Sequence, residues 1–127
     1  IEIGTKDPWA YNNHAVLLLQ SGGESPESFE EALKSVSRAI EINPEIPKFY
    51  FNRSIIKYNM KDLDGAMTDL TRILELDEND SDALRQRGSL FAELGIVPSA
   101  CADWKKASSL GDTRSTHYLQ ENSEVCK

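Results

Sequence analysis

Residues that carry chemistry are scarce in this chain. It holds two histidines and two cysteines among 127 residues, and His14 and His117 stand far apart. No Cys-x-x-Cys, His-x-x-x-His or glycine-rich phosphate loop occurs. Ser21-Gly22-Gly23 reads as a turn, not a nucleophile elbow, because no strand precedes it. The sequence therefore predicts no catalytic residue, no metal site and no cofactor. Long apolar runs are also missing. Ala15 to Leu19 is the longest, far short of the roughly 20 residues that span a bilayer as a helix, so membrane insertion is not expected. No signal-peptide pattern is present. Cations are outnumbered, 14 Lys and Arg against 21 Asp and Glu, for a net charge of −7. An acidic surface repels phosphate backbones, so nucleic acid is a poor partner. The carboxylates, Asp62, Asp64 and Asp69 among them, read as capping and solvated groups. The chain begins at Ile1, not Met, and reads as an excised fragment or a processed product.

What the chain has is a period. Slide Pro47–Asp80 forward by 34 residues and Tyr50 falls on Leu84, Ile56 on Leu90, Met60 on Leu94, Leu70 on Trp104 and Leu76 on Leu110. Small residues coincide as well, Ser54 on Gly88 and Ala66 on Ala100, and so do Arg53 on Arg87 and Asp69 on Asp103. A self-similarity of this length, built of two helical halves and a short break, is the period of a stacked-helix solenoid.

Punctuation residues place the helices. Asp7-Pro8 starts the first, which runs to about Gln20, because aspartate caps free N–H groups and proline suits the first turn. Ser25-Pro26 starts the second, which carries Phe29, Ala32, Leu33, Val36, Ala39 and Ile40 on one face and stops at Asn43-Pro44. Its apolar residues sit 34 before those of the central unit, but the first helix needs an offset of 39. The five extra residues belong to the turn at Gly22 to Pro26. Residues 1–7 form an N-terminal arm, 8–46 a first repeat with a lengthened turn, 47–80 a second and 81–112 a third. Residues 113–127, with Tyr118, Leu119, Asn122 and Val125 at helical spacing, form a half-apolar helix suited to closing the array. The expectation is an all-α right-handed superhelix of helical hairpins, about seven helices in one domain, with no strand. Ala15, Ser54 and Gly88 on first helices, and Ala32, Ala66 and Ala100 on second helices, allow close crossing, and large residues fill in around them.

At these residues the chain resembles the tetratricopeptide repeat (TPR) family. It departs from the common pattern at Lys57 and Leu18, where Phe91 is the expected aromatic, and at His14, Arg53 and Arg87, where leucine is more usual. The resemblance implies an interaction scaffold whose first helices line a concave groove for a peptide or protein segment. Groove residues would include Asn13, Lys48, Phe51, Asn52, Ile55, Tyr58, Arg85, Gln86 and Ser89. Asn13, Asn52 and Gln86 would form a column of amides able to pair with a peptide backbone, Phe51, Ile55 and Tyr58 an apolar patch, and Lys48 and Arg85 local positive charge. One subclass grips the carboxyl-terminal peptides of heat-shock chaperones with a lysine–arginine–asparagine clamp. Only Asn52 matches here; Asn12, Val16, Asp82 and Gln86 occupy the other places, so a chaperone carboxylate clamp is not expected. The alternative is a structural spacer or self-association module with an empty groove.

The cysteines leave two readings open. Cys101 lies early in the last repeat's second helix and Cys126 at the end of the capping helix. If those helices run antiparallel about Gly111, the two come roughly opposite each other. A disulfide there would close a loop of about 25 residues and stabilise the array's end by roughly 3 kcal/mol, and it would imply an oxidising compartment. On the other reading Cys101 is a small core residue and Cys126 a free terminal thiol. The segment Ala100 to Gly111 resembles the last repeat of bacterial TPR proteins, some of them exported, so an exported or periplasmic location goes with the first reading.

Overall fold

The computed structural model describes residues 6–21 and 25–127. Most of the expected arm, and Gly22, Gly23 and Glu24 of the expected lengthened turn, lie outside the described residues. Among those described there are seven helices and no strand: α1 (Pro8–Ser21), α2 (Pro26–Ile42), α3 (Pro47–Asn59), α4 (Leu63–Leu76), α5 (Ser81–Glu93), α6 (Val97–Ser109) and α7 (Thr113–Glu121). The helix starts follow the capping chemistry. The Trp9 amide donates to Asp7, the Ser28 amide to Ser25, the Ala83 amide to Asp80 and the Ser115 amide to Asp112. Each side-chain oxygen satisfies an amide that the helix leaves without a partner.

Two compact units follow each other along the chain, Ile1–Asp69 and Leu70–Lys127, with the boundary inside α4. In the first unit, Ala15, Ala32, Val36, Ala39, Phe49 and Ile56 are all inaccessible to solvent. Phe49 lies outside the period-matched apolar set, yet it is one of the largest fully buried side chains. Burying it contributes about 2–3 kcal/mol. Alanine at positions 15, 32 and 39 gives the close approach that lets the larger groups interlock around it. The Tyr50 ring is buried, and its hydroxyl donates to the Pro44 carbonyl at 2.8 Å, so the polar end of a core residue is satisfied.

Asp69 corrects the expectation of a solvated carboxylate. It is 1% exposed, and the Arg53 guanidinium grips it in a fork at 2.9 and 2.8 Å. Lys57 adds a contact at 3.2 Å, which explains how a lysine is tolerated at an aromatic's place. The second unit repeats the device. Arg87 holds buried Asp103 at 2.8 and 2.9 Å, and that hydrogen bonding keeps the Arg87 pKa above its ordinary value. In both cases the arginine also lies over an aromatic ring of its own helix, Tyr50 for Arg53 and Phe91 for Arg87, at 5.7 Å from the centroid. A planar fork and a ring face are features that lysine or leucine could not both meet.

Two glycines of the second unit do different jobs. Gly95 sits at φ +79° with open space around it. The residue 34 earlier, Lys61, also adopts a left-handed φ, 68°, so this turn geometry is built into the repeat. Gly88 instead makes room: a Cβ there would stand 2.7 Å from Cδ1 and Nε1 of Trp104. We expect Gly95→Ala to cost about 1–2 kcal/mol, the left-handed penalty alone. Gly88→Ala should cost about 1–3 kcal/mol by overpacking and shift Trp104 fluorescence, which Gly95→Ala should leave unchanged. Denaturant unfolding of both variants checks this; an unaltered Trp104 signal in Gly88→Ala would contradict the close approach.

Candidate interaction surface

In the first unit, α1 and α3 meet through an aromatic pair and an amide pair. Trp9 packs edge-on against Phe49 with centroids 4.8 Å apart and stays 43% exposed. Near the middle of both helices, Asn52 donates from its Nδ2 to Oδ1 of Asn12 at 2.8 Å. Asn12 is buried, so this bond satisfies an acceptor that would otherwise be orphaned. The expected amide column therefore needs correction. Asn52 does not present an uncommitted amide, and its partner is Asn12, with Asn13 exposed one residue further round α1. Asn52 keeps its carbonyl oxygen and one N–H, now held in a defined orientation.

Along α3, positions 51, 55 and 58 follow the three- and four-residue spacing of one helix face. Phe51 is half-buried, whereas Ile55 and Tyr58 are 37% and 43% exposed. Lys48, one turn before, is exposed as well. The face thus offers apolar area, an oriented amide and one cation. It carries no carboxylate among these positions, although the chain is strongly acidic.

The second unit places its expected site residues differently. Gln86 and Ser89 on α5 are half-buried. Arg85, expected to supply accessible positive charge, is buried and donates to Asp82 at 3.0 Å and Asp112 at 2.8 Å. Its charge is neutralised within the unit, because two carboxylates converge on one guanidinium. Burial works against a charge on Asp112, but hydrogen bonds from the Ser115 hydroxyl and amide, together with Arg85, outweigh it and hold the carboxyl below its usual range. Cys101 and Cys126 are joined, with Sγ atoms 1.99 Å and Cα atoms 5.3 Å apart. Among the described residues, no cluster of His, Cys, Asp and Glu is arranged to hold a metal ion, and no helix is long and apolar enough to cross a membrane.

The backbone superposes on the first TPR of Spaghetti (RPAP3), solved bound to an HSP90 peptide SRMEEVD, with a TM-score of 0.81. That likeness covers 98% of this chain and 96% of the other at 17% identity. The fold is that of the tetratricopeptide repeat family. The second TPR of Spaghetti (RPAP3), bound to the same peptide, gives a TM-score of 0.73 at 20% identity, covering 82% of this chain and 92% of the other. No family model matches the sequence. In sequence, the chain is similar to the Hsp70-Hsp90 organizing protein 2 of Arabidopsis thaliana, 32% identical over 84 residues, or 66% of this chain. The chain spans only 14% of that protein's length.

The Asn12–Asn52 bond has a measurable consequence for stability. Asn52→Ala should lower stability by about 1–3 kcal/mol, because the buried Asn12 amide loses its partner. Asn13→Ala, on an exposed position, should stay within about 0.5 kcal/mol of the parent. Urea unfolding of the two variants checks the assignment, and equal stabilities would contradict it.

Proposed function

We propose that the chain is a non-enzymatic interaction module that binds a peptide or protein segment, with the first-helix face of α3 as its principal contact. The observation that carries this reading is the apolar row Phe51, Ile55 and Tyr58 beside an amide already oriented by Asn12. An extended segment has unpaired backbone groups that a primary amide can match, and exposed aromatics supply the anchoring area. Lys48 lies one turn before this row on α3, Asn13 is exposed on α1, and Gln86 and Ser89 lie on α5 of the second unit. The Spaghetti (RPAP3) TPRs, with a bound HSP90 peptide, support a peptide as the class of ligand.

The ligand is not an acidic tail. SRMEEVD carries two glutamates and an aspartate beside its terminal carboxylate, and such a group needs several cations to hold it. The resemblance puts the cationic places of a clamp at Asn12, Asp82 and Gln86. Asn12 is buried and bonded to Asn52, Asp82 has the wrong sign, and Arg85 is already bonded to Asp82 and Asp112. A neutral segment with apolar side chains suits the α3 face better than a polyanion. The resemblances to Hsp70-Hsp90 organizing protein 2 and to the RPAP3 domains therefore extend to the scaffold more readily than to that ligand.

The test uses peptides selected from a display library on the intact chain. Binding of the tightest should weaken at least about ten-fold in Tyr58→Ala and in Ile55→Ala, and stay unchanged in Glu41→Ala on α2. Calorimetry with SRMEEVD should give no Kd below about 1 mM. Selected peptides that bind both α3 variants at full strength would contradict the assigned face. A micromolar Kd for SRMEEVD would contradict the exclusion of acidic tails.

A further inference from the structure

We infer that α7 is a redox-released cap, held on the second unit by the Cys101–Cys126 disulfide and freed when that bond is reduced. The helix is short and buries little of itself. At nine residues it is shorter than the roughly 12–15 residues an isolated helix needs. Ser115 is its one buried residue, and Tyr118 and Leu119 are half-buried. It is instead pinned at two ends. At the start, Asp112 bonds Arg85 and the Ser115 amide and hydroxyl. Past the other end, Cys126 is bonded to Cys101, and Lys105 donates to the Lys127 carbonyl at 3.1 Å. Between the pins lie the tilted ring pair of Tyr118 on Trp104, 5.4 Å between centroids, and a hydrogen bond between the Ser108 and Thr116 hydroxyls.

Cutting the disulfide removes the covalent part of the far pin and leaves the Lys105–Lys127 hydrogen bond there, together with the near pin. The 25-residue separation corresponds, in the chain-entropy model, to a closure favoured on the order of 100-fold. The contacts that remain include the Tyr118–Trp104 pair and the Ser108–Thr116 hydrogen bond; without the covalent closure the helix leaves from its C-terminal end and turns about Gly111, whose φ of +98° marks a backbone bend with no side chain in the way. Departure uncovers Trp104, which is 6% exposed with α7 in place. The chemistry is a two-electron exchange with a dithiol reductant. One thiolate attacks the sulfur of half-buried Cys126, since Cys101 is only 5% exposed. The S–S bond breaks, and Cys101 leaves as a thiolate and takes a proton. The reductant's second thiol then attacks the mixed disulfide, Cys126 leaves and is protonated, and the reductant ends as a disulfide.

The experiment compares the full chain before and after dithiothreitol treatment without denaturant, in a Trp9→Phe background so that Trp104 is the sole tryptophan. Free thiols should rise from zero to two. Amide exchange at residues 113–121 should quicken at least about ten-fold, with residues 81–109 unchanged, and acrylamide quenching of Trp104 should increase. Cys126→Ser without reductant should reproduce the exchange pattern of the reduced protein. The inference is overturned by two thiols appearing with α7 exchange unaltered, since the helix then docks without the bond. It is equally overturned if α5 and α6 quicken along with α7, if native protein yields no thiols on reduction, or if the untreated chain already has two.

Discussion

A fork between a half-buried guanidinium and a buried carboxylate joins helices in each unit. Arg53 to Asp69 and Arg87 to Asp103 are the same pair, each 16 residues apart in sequence and one 34-residue period apart along the chain. A buried charge is costly unless its partner arrives in good geometry, so neighbouring helices are tolerated only in the register that closes the fork. Register in turn decides which face is left over. With Arg53 turned toward Asp69, the 51–55–58 row of α3 lies outside the core. The surface proposed for binding is thus a consequence of where the buried charges must go.

The first hairpin does without the fork and shows what can replace it. His14 and Ser35 stand where the later repeats have arginine and aspartate. His14 Nε2 lies 3.8 Å from Glu31 and makes no hydrogen bond. Apolar packing takes over, because Ala15, Ala32, Val36 and Ala39 are all inaccessible beside half-buried Tyr11, Phe29 and Leu33. Two solutions to one geometric requirement coexist in a single chain, aliphatic at the beginning and ionic later. Small residues at the crossings are common to both.

Helix positions were legible in the sequence because punctuation acts locally. Asp7-Pro8 and Ser25-Pro26 mark helix starts and Asn43-Pro44 a stop, and α1 begins at Pro8 while α2 runs from Pro26 to Ile42, each signal acting through its own backbone chemistry. The site was less legible. Whether a polar residue is free or paired depends on what approaches from another helix, and a one-residue step round a helix decides it. Asn12 reaches Asn52 and Asn13 does not. Arg85 looked like available charge because Asp112 lies 27 residues away across a helix and two turns. Asp69 was misread as solvated for the same reason, although one signal was present: an arginine and an aspartate recurred together at the 34-residue offset. Charges of opposite sign that repeat in phase with the core are better read as partners than as surface.

The disulfide adds a second kind of constraint in the second unit, covalent where the forks are electrostatic, and it holds a nine-residue helix with one buried residue. The forks remain the feature on which the register rests. The most direct test is chemical denaturation of Asp103→Asn and of Asp69→Asn under oxidising conditions, beside the double variant Arg87→Met with Asp103→Leu. If the forks set the register, each single change leaves a half-buried arginine without its charge partner and lowers unfolding free energy by about 1–3 kcal/mol, and the apolar double variant recovers most of the loss at its fork. Single variants within about 0.5 kcal/mol of the parent would contradict the claim that these pairs hold the helices in place.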